Sequence, residues 1–351
     1  MLCARIALLG VTLLAMVALG EAVLRVVLGP PVVWRYPQER YVDDAEIGYR
    51  LAPDQRSYTH DEVFETNSVG IRSPEVSFEK PEGTRRLVAL GDSQTAGDGL
   101  SLEETWPAQL AAELERRDGS NRWEVLNAGL SGASPWHFAR LLRRLDELYE
   151  IDGVVVALYV NDVVGDPDRP APLVDTNTPA HRVVYRLKRS ALFTALWRAR
   201  GPLRQLWNPS PEAGRESRIL TGEPDPVVDA SWRDLEQNMA EIRDYAIEHD
   251  LGLWWVVLPR RDQVDGSMRG RAYNARLAHI AGRLGLETVD VLEPLTRAYE
   301  SSGRELFIPW DGHNTAKANT VVATELAPLV LESFGSATIA EGWGDPTRPG
   351  P

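Results

Sequence analysis

The sequence predicts an α/β protein, a three-layer, doubly wound parallel sheet of about five strands. Two observations carry this. From residue 85 onward short apolar runs alternate with helical segments, the pattern of parallel strands joined by crossover helices. One run, residues 153–160, is almost entirely apolar, as expected of a central strand buried on both faces.

The elements follow in order. Arg5 precedes the uncharged run 6–20, which Glu21 and Arg25 interrupt before Val26, Val27 and Leu28. A membrane-spanning helix needs roughly 20 apolar residues, so residues 1–28 fit a signal-anchor only if Glu21 and Arg25 lie near the far interface. The alternatives are a signal peptide cut after Ala18-Leu19-Gly20, and a buried helix of the soluble body. An anchor holds the body outside the cytoplasm, periplasmic or at the cell surface; a cleaved signal leaves it secreted. Residues 29–84, rich in Pro, Tyr and Asp, read as a small strand-and-loop preface with a turn-like segment at 67–74. Strands are expected at 86–90, 123–126, 153–160, 253–258 and 286–291. Helices are expected from Thr105, with Pro107 in its first turn, and from Ser134-Pro135, where Phe138, Leu141, Leu142, Leu145, Leu148 and Tyr149 share a face. Further helices are expected over 231–249, 273–284 and 315–333.

Residues 163–230 break this rhythm with many Pro and Asp residues and a basic apolar stretch over 181–206. They read as an insertion: a lid, a membrane-facing amphipathic helix, or an irregular cap on the core. The sheet domain spans 85–334, and 335–351 read as a disordered tail.

At 351 residues, 43% hydrophobic and 25% charged, the chain can bury a sizeable core. A formal charge of −13 argues against nucleic acid as a partner, because phosphate binding needs clustered Lys and Arg. The single cysteine, Cys3, leaves no internal disulfide and no thiol nucleophile in the folded body. It also precedes the apolar run, which argues against lipoprotein modification.

Gly91-Asp92-Ser93-Gln94-Thr95 directly follows the first strand of the sheet, placing a serine where such folds bind ligands. A serine hydroxyl is a weak nucleophile until a base takes its proton, so a histidine held by an acid is required. Of the six histidines, His313 stands out in Trp310-Asp311-Gly312-His313-Asn314, just before the last helix, with Asp311 near enough in sequence to orient its ring. His137 is the alternative base. Asp92 and Asp162 are expected to support their turns, and Trp136 and Trp310 either line a pocket or pack.

These segments resemble the four blocks of the SGNH or GDSL hydrolases, membrane-anchored bacterial type, over roughly residues 85–333. Gly91-Asp92-Ser93 resembles the nucleophile block, Asn127-Ala128-Gly129-Leu130-Ser131-Gly132 the second, Val160-Asn161-Asp162 the third, and Asp311 with His313 the last. The resemblance implies an SGNH hydrolase-like, flavodoxin-like fold with Ser93, Asp311 and His313 catalytic. It implies an oxyanion hole of Ser93, Gly132 and Asn161, and neither a cofactor nor a metal. Two departures stand out. Many members space acid and histidine as Asp-x-x-His, whereas this chain has Asp-x-His with Trp310 three before His313; anchored and polysaccharide-modifying relatives resemble the shorter spacing, and another carboxylate remains an alternative acid. Tyr159-Val160 replaces the glycine that often precedes the asparagine.

The function so implied is a serine ester hydrolase working through an acyl-enzyme, a short-acyl (acetyl) esterase on a small-molecule or glycan ester of the envelope. A lipase or lysophospholipase is the alternative if the 181–206 stretch faces a membrane. An O-acyltransferase uses the same residues, and an inactive envelope scaffold is the non-enzyme reading; labelling of Ser93 by a fluorophosphonate separates it from an enzyme.

Overall fold

The computed structural model describes residues 2–119, 122–164, 176–207 and 214–335. The chain opens with a long helix, α1 (Leu2–Leu28), no residue of which is buried in the body. Its most apolar stretch has a mean hydropathy of 2.3, long and apolar enough to cross a membrane as an anchor or to serve as a signal sequence. Two small antiparallel hairpins follow, β1 (Tyr41–Asp44) with β2 (Gly48–Leu51), and β3 (Arg56–Thr59) with β4 (Glu62–Glu65).

The main sheet has five parallel strands in the order β6-β5-β7-β8-β9: β5 (Thr84–Gly91), β6 (Arg122–Gly129), β7 (Gly153–Leu158), β8 (Gly252–Val257) and β9 (Glu287–Asp290). Every residue of β7 and of β8 is buried, which is why these two read as continuous apolar runs. Along β5 the period of two sorts side chains between layers. Val88 and Leu90 face a core shared with α4 (Pro135–Leu148), α8 (Pro226–Glu248) and α10 (Ala272–Leu284). Leu87 and Ala89 face α3 (Trp106–Asp118), α11 (Leu292–Ser302) and α12 (Ala316–Gly335). Helices on both faces of a parallel sheet make the three-layer α/β fold expected from the sequence.

Several boundaries differ from expectation. The run 153–160 ends as a strand at Leu158, and Val160–Val163 turns into a 3₁₀ helix that carries Asn161 out of the sheet. The helix expected from residue 231 begins at Pro226, where the Asp225 side chain accepts the Val227 and Val228 amides and Pro226 occupies the first turn. Helix α11 was not anticipated, because it follows β9 with almost no connecting loop. The described part of the insertion is helical: α5 (Pro179–Leu187), α6 (Ala191–Trp207) and α7 (Arg215–Thr221). The expected tail, apart from Gly335 at the end of α12, lies outside the described residues.

Candidate active site

β5 ends at Gly91, and Asp92 caps the short helix α2 (Ser93–Ala96) by accepting the Gln94 amide at 2.9 Å. This turn lifts Ser93 to the C-terminal edge of the sheet, half-buried. Asn127, at the end of the neighbouring β6, braces the turn by donating from Nδ2 to the Thr95 carbonyl at 2.8 Å. Gly129 explains the glycine of that segment: a Cβ there would lie 2.0 Å from the Ala96 nitrogen, so only glycine lets α2 settle on the strand end.

Across 220 residues of sequence, His313 Nε2 lies 2.8 Å from Ser93 Oγ. Asp311 Oδ1 is hydrogen-bonded to His313 Nδ1 and also accepts the His313 main-chain N–H at 3.1 Å, so the Asp-x-His spacing folds the acid back onto its own ring. The structure thus brings together Ser93, His313 and Asp311. His137, the alternative base, points elsewhere: its Nδ1 lies 3.1 Å from both Ser134 N and Ser134 Oγ at the start of α4. Burial, helped by Arg140, lowers it to about 4.

The third expected oxyanion donor, Asn161, gives one Nδ2 hydrogen to Asp92 Oδ2 at 2.9 Å. An amide nitrogen carries two hydrogens, so the second remains to donate. Gly132 has φ +77°, a conformation natural to glycine, and among the described residues neither its N–H nor that of Ser93 has an acceptor. Tyr49 of β2 holds this loop by donating to the Ser131 carbonyl at 3.0 Å. Asp162 accepts the Tyr159 amide at 2.6 Å, and so closes its turn as expected. Burial pushes Asp92 above its ordinary value, against the bonds from Asn161 and the Gln94 amide.

One site residue was not anticipated. His60, in the turn between β3 and β4, places Nε2 3.1 Å from Asp311 Oδ2, so the acid sits between two imidazoles. Burial would raise Asp311, but the bonds from His313 and His60 and their charges overcome it and hold the carboxyl well below its ordinary range. Burial would lower His313, yet the bond and charge of Asp311, with Asp98 and Asp92, lift it to about 9. Nothing in Thr59-His60-Asp61 announces this partnership; it exists only because the preface folds over the sheet edge that carries Ser93.

A cleft of about 410 Å³ opens beside Asp311 and Gly312, with Tyr159, Trp310, Arg198 of α6 and Arg260 on its walls. Trp310 stands at φ +64° and donates Nε1–H to the Gly29 carbonyl at 2.8 Å, while the Arg198 guanidinium lies 5.6 Å from its ring centre. Trp310 therefore lines the cleft, whereas Trp136 lies on α4 under Arg140.

Among solved structures the chain is similar to LAE5, an α/β hydrolase enzyme from the metagenome of Lake Arreo, at 18% identity over 70% of this chain and 94% of that one, with a TM-score of 0.43. It is similar to the psychrotrophic esterase EstA from Pseudoalteromonas sp. at 15% identity, over 72% of this chain and 100% of that one, with a TM-score of 0.42. The acetyl xylan esterase AlAXEase is similar at 13% identity over 70% of this chain and 99% of its own, again with a TM-score of 0.42. No curated protein matches the sequence. The profile of the GDSL-like lipase/acylhydrolase family matches residues 89–320, which include Ser93, Gly132, Asn161, Asp311 and His313. With about two thirds of its length so matched, the chain belongs to the GDSL-like lipase/acylhydrolase family and is an ester-hydrolysing enzyme.

Proposed function

We propose that the protein is a serine esterase, held by α1 on the outer side of a membrane, that removes short acyl groups such as acetyl from carbohydrate or envelope glycan. The observation that carries the serine mechanism is the 2.8 Å separation of Ser93 Oγ and His313 Nε2, with Asp311 on the other ring nitrogen. His313 takes the Ser93 proton as Oγ attacks the ester carbonyl carbon. The negative charge on the carbonyl oxygen is met by the N–H groups of Ser93 and Gly132 and the free amide hydrogen of Asn161. The tetrahedral centre collapses, His313 protonates the departing alcohol, and the acyl group stays on Ser93. His313 then deprotonates a water that attacks the acyl-enzyme, releasing the carboxylic acid and returning the proton to Ser93.

The cleft supports a short acyl group and a polar leaving group. Its walls are charged residues, Tyr159, Trp310 and Gly312, and among the described residues no aliphatic side chain lines it to receive a long acyl chain.

The test is hydrolysis of p-nitrophenyl acetate, butyrate and octanoate, with acetylated oligosaccharides alongside. Ser93→Ala and His313→Ala should each lower kcat by at least roughly 10³-fold, and Asn161→Ala by roughly 10²- to 10³-fold. Acetate should be preferred to octanoate. Full activity in Ser93→Ala, or preference for octanoate, would overturn the mechanism or the acyl preference respectively.

A further inference from the structure

In a chain of formal charge −13, residues 176–207 hold seven Lys and Arg residues and no Asp or Glu. Arginines elsewhere on the surface meet carboxylates, as Arg144 meets Asp44 and Glu46 and Arg283 meets Glu236. Among the described residues, Arg182, Arg186 and Arg189 of this segment, and Arg35 facing them from the preface, have no carboxylate at ion-pair distance. These four arginines converge on one cavity of about 330 Å³, whose aromatic wall is Trp34 stacked on Tyr185 at 4.2 Å between ring centres. Four unneutralised guanidinium groups around one cavity repel each other and call for an anion.

The position of the cavity identifies that anion. Ile6 to Gly20 is 15 uncharged residues, about 22 Å of helix at 1.5 Å per residue, and with the Arg5 side chain reaching to the near interface this segment approaches the roughly 30 Å of a bilayer's hydrocarbon core. The next charged residue, Glu21, is already bonded to the body: its carboxylate accepts the Ser190 hydroxyl at 2.8 Å and the Ala191 and Leu192 amides at 2.9 and 2.8 Å. One turn later Arg25 donates to the Arg189 carbonyl at 2.6 Å. The junction of α5 and α6 therefore lies at the depth where the spanning segment leaves the hydrocarbon, which is the headgroup layer. Val183, Leu187 and Leu196 of the same two helices are exposed, the composition of a surface-lying amphipathic segment.

We propose that Arg35, Arg182, Arg186 and Arg189 form a binding site for the phosphate of an anionic phospholipid headgroup in the membrane that α1 spans. The arginines take the phosphodiester oxygens, the Trp34–Tyr185 wall sits at the interface, and α5 and α6 lie on the leaflet. The proposal rests on α1 being a retained anchor.

The full-length chain, with Cys3→Ser and an environment-sensitive fluorophore on Leu187→Cys, is reconstituted into phosphatidylcholine vesicles with and without phosphatidylglycerol. A label on Ile247→Cys, at the opposite edge of the sheet just before β8, is the reference; Leu187 and Ile247 are equally exposed, 49% and 50%. The Leu187 label should be quenched by headgroup-level spin-labelled lipid more strongly in anionic than in neutral vesicles, and the Ile247 label in neither. Combined Arg182→Gln, Arg186→Gln and Arg189→Gln should return it toward the reference, with the contact weakening roughly five-fold per arginine removed. Equal quenching in the two vesicle types, or release of the label by soluble glycerol phosphate, would overturn the lipid assignment. Carbonate extraction separates the two readings: a chain that washes off the vesicles sinks the anchor and the site together, whereas a retained chain with an unquenched label sinks the site alone.

Discussion

In the proposed role of general base His313 must be neutral to accept a proton, and its environment opposes that. Burial would lower it, but Asp311, with Asp98 and Asp92 behind it, holds it at about 9. The ring is thus charged through neutral pH, and kcat/KM should rise with pH along a limb centred near 9. Replacing Asp311 by Asn removes the main charge favouring the imidazolium, so the limb should move to lower pH while the plateau falls; a limb that stays put would assign it to another group. The sign for stability is opposite. A histidine raised from 6.5 to about 9 on folding contributes stability that is complete below 6.5 and is lost as pH passes 9, so Tm of the wild type should decline over that interval and that of Asp311→Asn should decline less. His60 enters the same network from the other side. Its Nε2 bond to Asp311 Oδ2 fixes the carboxylate's rotation, so His60→Ala should lower kcat roughly ten-fold, about 1.4 kcal/mol of transition-state stabilisation, with KM little changed. His60→Gln, which keeps an N–H donor, should recover part of the loss; equal losses in kcat and folded fraction would reduce His60 to a packing residue.

At the scale of elements, the preface is bolted to the nucleophile loop by one buried cation. Arg72 donates to the carbonyls of Ala96, Gly97 and Leu100 at 2.6, 2.7 and 2.6 Å, and its guanidinium lies over the Phe64 ring at 4.5 Å. Among the described residues the Ala96 and Leu100 carbonyls have no other donor, whereas Gly97 also accepts the Leu100 amide at 3.1 Å, so Arg72→Met strands two buried acceptors and weakens a third. It should cost roughly 2–4 kcal/mol in urea unfolding and lower kcat, because α2 begins with Ser93. An unchanged midpoint would mean that water replaces the guanidinium. Arg72 also marks where the sequence ceases to be legible. Ser93 and His313 could be read because each occupies a strand end or a pre-helix loop beside recognisable neighbours, and the five strands because their apolar runs are short and evenly spaced. Arg72 and His60 sit in turns whose local composition would look the same on any surface; only the docking of the preface gives them partners. The start of α8 was misplaced for a different reason: Asp225-Pro226, an N-cap followed by a first-turn proline, closes a Pro-rich stretch that reads as loop. The Arg198 side of the cleft is not legible in the sequence because α6 belongs to the insertion, and nothing in its local composition ties it to this edge of the sheet.

For the molecule as a whole, the C-terminal end of α1 is tied into the body. Contacts occur at three points in its last turns and the residue after it: Glu21 at the start of α6, Arg25 at the Arg189 carbonyl, and the carbonyl of Gly29, just past the helix, at Trp310 Nε1. The last of these ties the end of α1 to the loop that carries Asp311 and His313, while α6 runs from the Glu21 contact to Arg198 over Trp310. The cleft is therefore framed by elements that contact the end of α1, although the sheet positions Ser93. Glu21→Ala separates these supports. It removes a side-chain cap with three donors, which should cost α6 roughly 0.5–2 kcal/mol, and it leaves the Trp310–Gly29 bond intact. Limited proteolysis of the full-length chain should then cut faster within residues 188–207. Hydrolysis of p-nitrophenyl acetate, which needs only the proposed triad and oxyanion donors, should be unchanged, while kcat/KM for an acetylated oligosaccharide that reaches Arg198 should fall. If both substrates fall together without faster cutting, Glu21 acts on the whole fold and not through α6; if neither changes, α6 keeps its place without the Glu21 contact.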